Sequence, residues 1–106
     1  PPAAAETKPA MTNGIMAPKD GATVSGEVEV MGHAMDPNFV RWELALLPGG
    51  DVNAPVFLTS GSEHGDFTTS LDTTGLPNGE HAFRLRVVRS DGNYGEYFSK
   101  FVIANK

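Results

Sequence analysis

Met31, His33 and Met35 alternate along the chain. On a β-strand that spacing puts two thioethers and an imidazole on one face. Thioether and imidazole together suit a soft ion such as Cu(I). Same-face neighbours lie about 6.8 Å apart, however, so three ligands on one ion require a bent strand. On an unbent strand the methionines fill gaps near a sheet edge, with an exposed histidine between them. A second cluster, Ser60-Gly61-Ser62-Glu63-His64-Gly65-Asp66, brings serine, histidine and acids together in sequence. A nucleophile needs a base within hydrogen-bond reach and oxyanion donors nearby, all held in place. A glycine-containing loop holds no such arrangement, and no Gly-x-Ser-x-Gly elbow occurs. A polar loop is expected there. Paired carboxylates of the glycosidase kind need a cleft, for which a domain of this size has little material.

Asp20, Asp36, Asp51 and Asp91 fall in turn segments, where aspartate is favoured because it bonds its own backbone. Calcium wants six or more converging oxygens, and no Asp-x-Asp-x-Asp spacing occurs. With no cysteine in the chain, disulfides, thiolate metal sites and cysteine nucleophiles are excluded. The residue types therefore predict no catalytic residue and no cofactor. Copper at Met31, His33 and Met35, and calcium bridging tandem modules, stand as alternatives.

The elements that position these residues read as strands. Period-two alternation recurs, cut by turn signals every 8–12 residues or so, and no segment holds a helical period. The chain predicts strands at Gly14–Met16, Gly26–Ala34, Phe39–Leu47, Pro55–Ser60, Asp66–Asp72, Glu80–Arg89 and Tyr94–Ala104. Pro55 suits an edge strand. Asp91-Gly92 suits a two-residue type I′ hairpin, and Thr73-Thr74-Gly75 one helical turn. This predicts an all-β, immunoglobulin-like sandwich of about seven antiparallel strands in two sheets.

Three segments carry a family resemblance: Pro18-Lys19-Asp20-Gly21-Ala22-Thr23-Val24-Ser25-Gly26, Leu71-Asp72-Thr73-Thr74-Gly75-Leu76-Pro77-Asn78-Gly79 and Phe83-Arg84-Leu85-Arg86-Val87-Val88. With the strand order they resemble the immunoglobulin-like, fibronectin type III-like modules of bacterial surface and secreted proteins. That resemblance implies a spacer, adhesin repeat or enzyme appendage outside the cytoplasm: extracellular, at the cell surface or periplasmic. One departure stands out. His81 occupies the place of the tyrosine whose hydroxyl ties the Leu-Pro-x-Gly turn to the backbone.

Alternation also sorts the faces. With Val40, Trp42, Leu44, Leu46, Phe83, Leu85, Phe101 and Ile103 inward, the opposite parity points out. One outer face then carries Phe39, Arg41, Glu43, Leu47, Arg84, Arg86, Val88, Phe98, Lys100 and Val102. The other carries Glu27, Glu29, Thr68, Ser70 and Asp72. Arginine with aromatics is enriched at the centres of interfaces. Phe39, Arg41, Arg84, Arg86, Phe98 and Lys100 are accordingly the expected partner-binding residues. They would serve a protein partner or self-association into a filament, coat or envelope assembly. Cross-strand arginine stems covering an outer sheet face are the plainer account of the same residues. A carbohydrate-binding appendage to a larger enzyme is a further alternative, resting on Tyr94 and Phe98.

The 106 residues fit one domain, and the 40% apolar fraction supports a packed interior. Residues 1–12, rich in proline and alanine, read as a linker ahead of a domain at 13–106. Lacking an initiator methionine or apolar h-region at its start, the chain reads as a processed or excised piece. A net charge of −5 repels phosphate backbones, so no nucleic-acid partner is expected. No apolar run approaches the roughly 20 residues that cross a bilayer, so no membrane insertion of this fragment is expected.

Overall fold

Valine and phenylalanine alternating with acids and hydroxyls leave each strand one apolar side to bury, and two such sheets close on one another. The computed structural model describes residues 13–105; the segment read as a linker lies outside them. The strands are β1 (Gly14–Ala17), β2 (Ala22–Val24), β3 (Glu27–Ala34), β4 (Phe39–Pro48), β5 (Val56–Gly61), β6 (Gly65–Asp72), β7 (Gly79–Arg89) and β8 (Tyr94–Ile103). Thr73–Gly75 forms the expected single turn, a 3-10 turn capped by the Asp72 side chain. Strands β1, β3 and β6 make one sheet, and β2, β8, β7, β4 and β5 the other.

The count exceeds the expected seven because of β2, three residues pairing parallel with β8. So short a run carries no readable alternation, and its strand character comes from the neighbour it meets. The remaining pairings are antiparallel. The core lies between the sheets. Trp42 stacks on Phe67 at 4.0 Å between ring centroids, and Phe83 on Phe101 at 4.5 Å. Val30, Leu44, Leu46, Leu85, Val87 and Ile103 fill the space around them. Gly32 is packed under Phe67 so closely that a Cβ would meet the ring and the Gly14 carbonyl.

Two expectations of local geometry are corrected. Asp91-Gly92 is not a two-residue type I′ turn. Arg89 N–H donates to the Asn93 carbonyl and Gly92 N–H to the Arg89 carbonyl, closing a three-residue loop. Only Gly92 has positive φ, at 87°, as in a turn followed by a glycine bulge. At the start of β4, a bulge between Phe39 and Arg41 sets two residues against one step of β7. A bulge reverses the facing of residues on its far side. Phe39 therefore turns into the core and Val40 turns out, 41% exposed; strict alternation had placed them the other way round.

Candidate functional site

The outer face of the five-stranded sheet gathers the expected residues in cross-strand rows. Register runs Phe57–Ala45–Arg84–Phe98 in one row and Glu43–Arg86–Glu96 in the next. Leu47, Ala82 and Lys100 form a third. Arg41, Arg84, Arg86, Phe98 and Lys100 thus stand on this face as expected. Phe39 does not: past the bulge it packs against the core and meets His64 edge-on, at 5.9 Å. Phe57, to which the alternation assigned no face, is 64% exposed, and Phe98 is 54% exposed. Finding Phe57 from sequence required the pairing of β5, which is itself broken by a register shift at Leu44/Ala45.

Ala45, Leu47 and Ala82 are buried on this face, and beside Phe98, towards the loop after β4, lies a groove. That groove, about 340 Å³, is bounded by Leu47, Val52, Ala82 and Phe98, with Glu80 and Lys100 at its rim. Arg86 donates through Nε and an NH2 group to one Glu96 oxygen, at 3.2 and 2.7 Å, and lies over the Tyr94 ring at 4.2 Å. Arg41 pairs with Glu43 at 2.8 Å. Arg84 is left over. Its Nε lies 3.9 Å from the same Glu96 oxygen, beyond hydrogen-bond reach, and is buried with no partner. Two arginines therefore share one carboxylate.

His81 closes one end of the groove. It is only 3% exposed, and both ring nitrogens are used: Nε2 lies 2.8 Å from the Pro77 carbonyl and Nδ1 3.1 Å from the Gly49 amide. A carbonyl can only accept and an amide N–H only donate, so the imidazole is the neutral tautomer with its proton on Nε2. The histidine thus makes the turn-to-backbone bond of the tyrosine corner and adds a second bond, to the loop bounding the groove.

The chemistry-bearing clusters are held apart. Met31 and His33 share the outer face of the three-stranded sheet, and Met35 lies just past the end of β3. His33 Nδ1 is 2.8 Å from Asp66 on β6. Among the described residues no three histidine or carboxylate side chains converge as a metal site. His64 packs on Phe39 while Asp66 pairs with His33, so the polar loop's histidine and acid are held by different neighbours. The turn aspartates each bond nearby backbone: Asp36 receives Asn38 N–H, Asp51 Asn53 N–H, Asp91 Asn93 N–H and Asp20 Lys100 N–H. The backbone amide and then the side chain of Asn93 hold the Asp91 carboxyl below its ordinary value. The hydroxyl and then the amide of Thr74 do the same at Asp72.

No protein-family model matches the chain, and no curated protein matches it. Solved structures do. The chain is similar to the endo-beta-1,4-mannanase from Thermotoga petrophila, with 23% identity and a TM-score of 0.68, over 94% of this chain and 21% of that one. It spans about a fifth of the mannanase's length. It is also similar to CopC from Methylosinus trichosporium OB3b, with 16% identity and a TM-score of 0.54, over 89% and 95% of the two chains. Superoxide reductase (neelaredoxin) from Ignicoccus hospitalis gives 17% identity and a TM-score of 0.57, over 97% and 86%. These identities speak to fold alone. The fold class is an all-β, immunoglobulin-like sandwich.

Proposed function

We propose that this domain is a non-catalytic binding module of an extracytoplasmic protein, acting through the outer face of its five-stranded sheet. The observation that carries the reading is the row Phe57–Ala45–Arg84–Phe98. It sets two exposed rings on either side of a buried small residue and an arginine with an unpaired, buried Nε. Exposed apolar patches mark contact sites, and arginine with aromatics is their characteristic composition. The motifs that resemble fibronectin type III-like modules of bacterial surface and secreted proteins supply the extracytoplasmic setting. The mannanase offers a parallel for a sandwich occupying a fraction of a longer chain.

Photo-crosslinking in cells that make the parent protein tests the face. A benzoylphenylalanine at position 57 or 98 is expected to give adducts that the same probe at Thr74, exposed at the end of the sandwich, does not. Adducts absent from positions 57 and 98, or equal at Thr74, overturn the reading.

One observation favours a second reading, a metal carrier. A ligating histidine commonly has its other ring nitrogen held by a carboxylate, and Asp66 holds His33 Nδ1 in this way, with Met31 on the same face. On that reading, Cu(I) raises the melting temperature, and His33→Ala abolishes the rise. An unchanged melting temperature with Cu(I) removes it.

A further inference from the structure

Glu27 and Glu29 stand two residues apart on β3, both exposed on the outer face of the three-stranded sheet. With Thr68, Thr69 and Ser70 they line a shallow groove. Asp72 lies directly opposite Glu27, and like charges opposed across a sheet repel. Among the described residues no ion pair reaches either glutamate. The face therefore presents two uncompensated carboxylates about 6.8 Å apart along the strand.

Its complement lies on the other side of the same sandwich. Arg84 sits opposite Phe98, and Lys100 follows Phe98 by two residues, so the two cations are diagonal neighbours about 7–8 Å apart. The one carboxylate near Arg84 is already taken by Arg86, and Lys100 makes no ion pair among the described residues. Sign and spacing match across the molecule.

We infer that the outer face of the five-stranded sheet docks the three-stranded sheet of a second copy of this chain, Arg84 and Lys100 taking the partner copy's Glu27 and Glu29. This deepens the binding-module reading and rests on it. The contact is heterologous, a different surface from each copy, so it leaves one face of each kind free and continues into a stack instead of closing as a dimer. It is also weak. Two eight-residue strands and one of four, at about 3.3 Å per residue and about 4.8 Å apart, cover roughly 300 Å², well under half of what each partner buries in a stable interface. Stacking is thus a property of high local concentration, as on a surface or in a tandem array.

Sedimentation of the chain up to millimolar concentration tests this. The weight-average mass is expected to rise with concentration in about 0.1 M salt and the rise to vanish near 1 M, where the screening length shrinks to about 3 Å. The pair Arg84→Gln with Lys100→Gln removes the association, and so does the pair Glu27→Gln with Glu29→Gln. Mixing these two variants restores a one-to-one complex and nothing larger, because each retains one working face. Glu27, Glu29 and Lys100 are exposed and Arg84 is largely covered on its outer face; unchanged melting curves establish that the variants fold. A wild type that stays monomeric in about 0.1 M salt, or association that survives loss of the two glutamates, overturns the head-to-tail contact. Survival in the glutamate variant together with loss in the Arg84 and Lys100 variant keeps the outer face and removes only its partner. A monomeric wild type leaves the outer face to the crosslinking test.

Discussion

His81 does two jobs with one ring. A tyrosine hydroxyl donates and accepts at one oxygen, whereas a neutral imidazole donates at one nitrogen and accepts at the other, so its two partners can lie on different sides of the ring. It joins the Pro77 carbonyl, ahead of β7, to the Gly49 amide, in the loop after β4. His81→Phe keeps most of the ring's packing against Phe101 but leaves both backbone groups without a partner. Both bonds are only part-buried, since Gly49 and Pro77 are exposed, so each costs about 0.5–1.5 kcal/mol to lose. Urea denaturation is expected to show a loss in that range or somewhat above it, and the Gly49 amide to exchange faster with solvent. An unchanged exchange rate at Gly49 means the imidazole does not hold the loop. Asn105 plays a comparable part at the same end of the sandwich, joining Gly26, Thr73 and Asn78 through side-chain and backbone bonds. Nothing in its type or neighbours in sequence singled it out, since its partners are 27 or more residues away.

At the scale of strands, close approach and bulges set which side chains are offered to solvent. β1, β3 and β6 meet tightly because Gly32 has no side chain and lets the Phe67 ring lie against the backbone of β3. Gly32→Ala drives a methyl into that ring and toward the Gly14 carbonyl. Overpacking of this kind costs about 1–3 kcal/mol, a drop of several degrees in melting temperature for a domain this size. A melting temperature equal to wild type means that Phe67 has room to move aside. The bulge at Phe39/Arg41 acts differently, exchanging an aromatic for a valine at the surface. It removes Phe39 from the outer face while leaving Arg41 on it, so the proposed binding face is narrower at that corner than strict alternation implies.

At the scale of the molecule, the sandwich separates stability from recognition. Trp42 is buried and stacked on Phe67, so Trp42→Ala is expected to cost about 3–5 kcal/mol and to unfold the domain whether or not a partner is present. Replacing Phe57 and Phe98 by serine removes only exposed rings, and is expected to leave the melting temperature nearly unchanged while lowering binding through the face. A large fall in melting temperature from the double serine variant means the two rings are structural. The same separation allows the two outer faces to differ in charge: each is built from residues of outward parity that the core does not constrain. Glu27, Glu29 and Asp72 stand on the three-stranded sheet, and Arg41, Arg84 and Arg86 stand with Glu43 and Glu96 on the five-stranded one, without disturbing the packing between them.

Parity alone determined a good deal. Which residues of β3, β7 and β8 face the core, the placing of the arginines on one outer face and of Glu27 and Glu29 on the other, and the sandwich itself all follow from a side-chain period of two. That period is a property of any extended chain and needs no partner strand. Tertiary structure decided what depends on the partner. Whether a bulge interrupts the ladder at Phe39 or Leu44, whether three residues at Ala22–Val24 become a strand, and where Phe57 points are set by the strand each one meets. The left-over cation at Arg84 has the same origin. It exists because Glu96, 12 residues along the chain, is brought beside two arginines by the pairing of β7 with β8 and can satisfy only one.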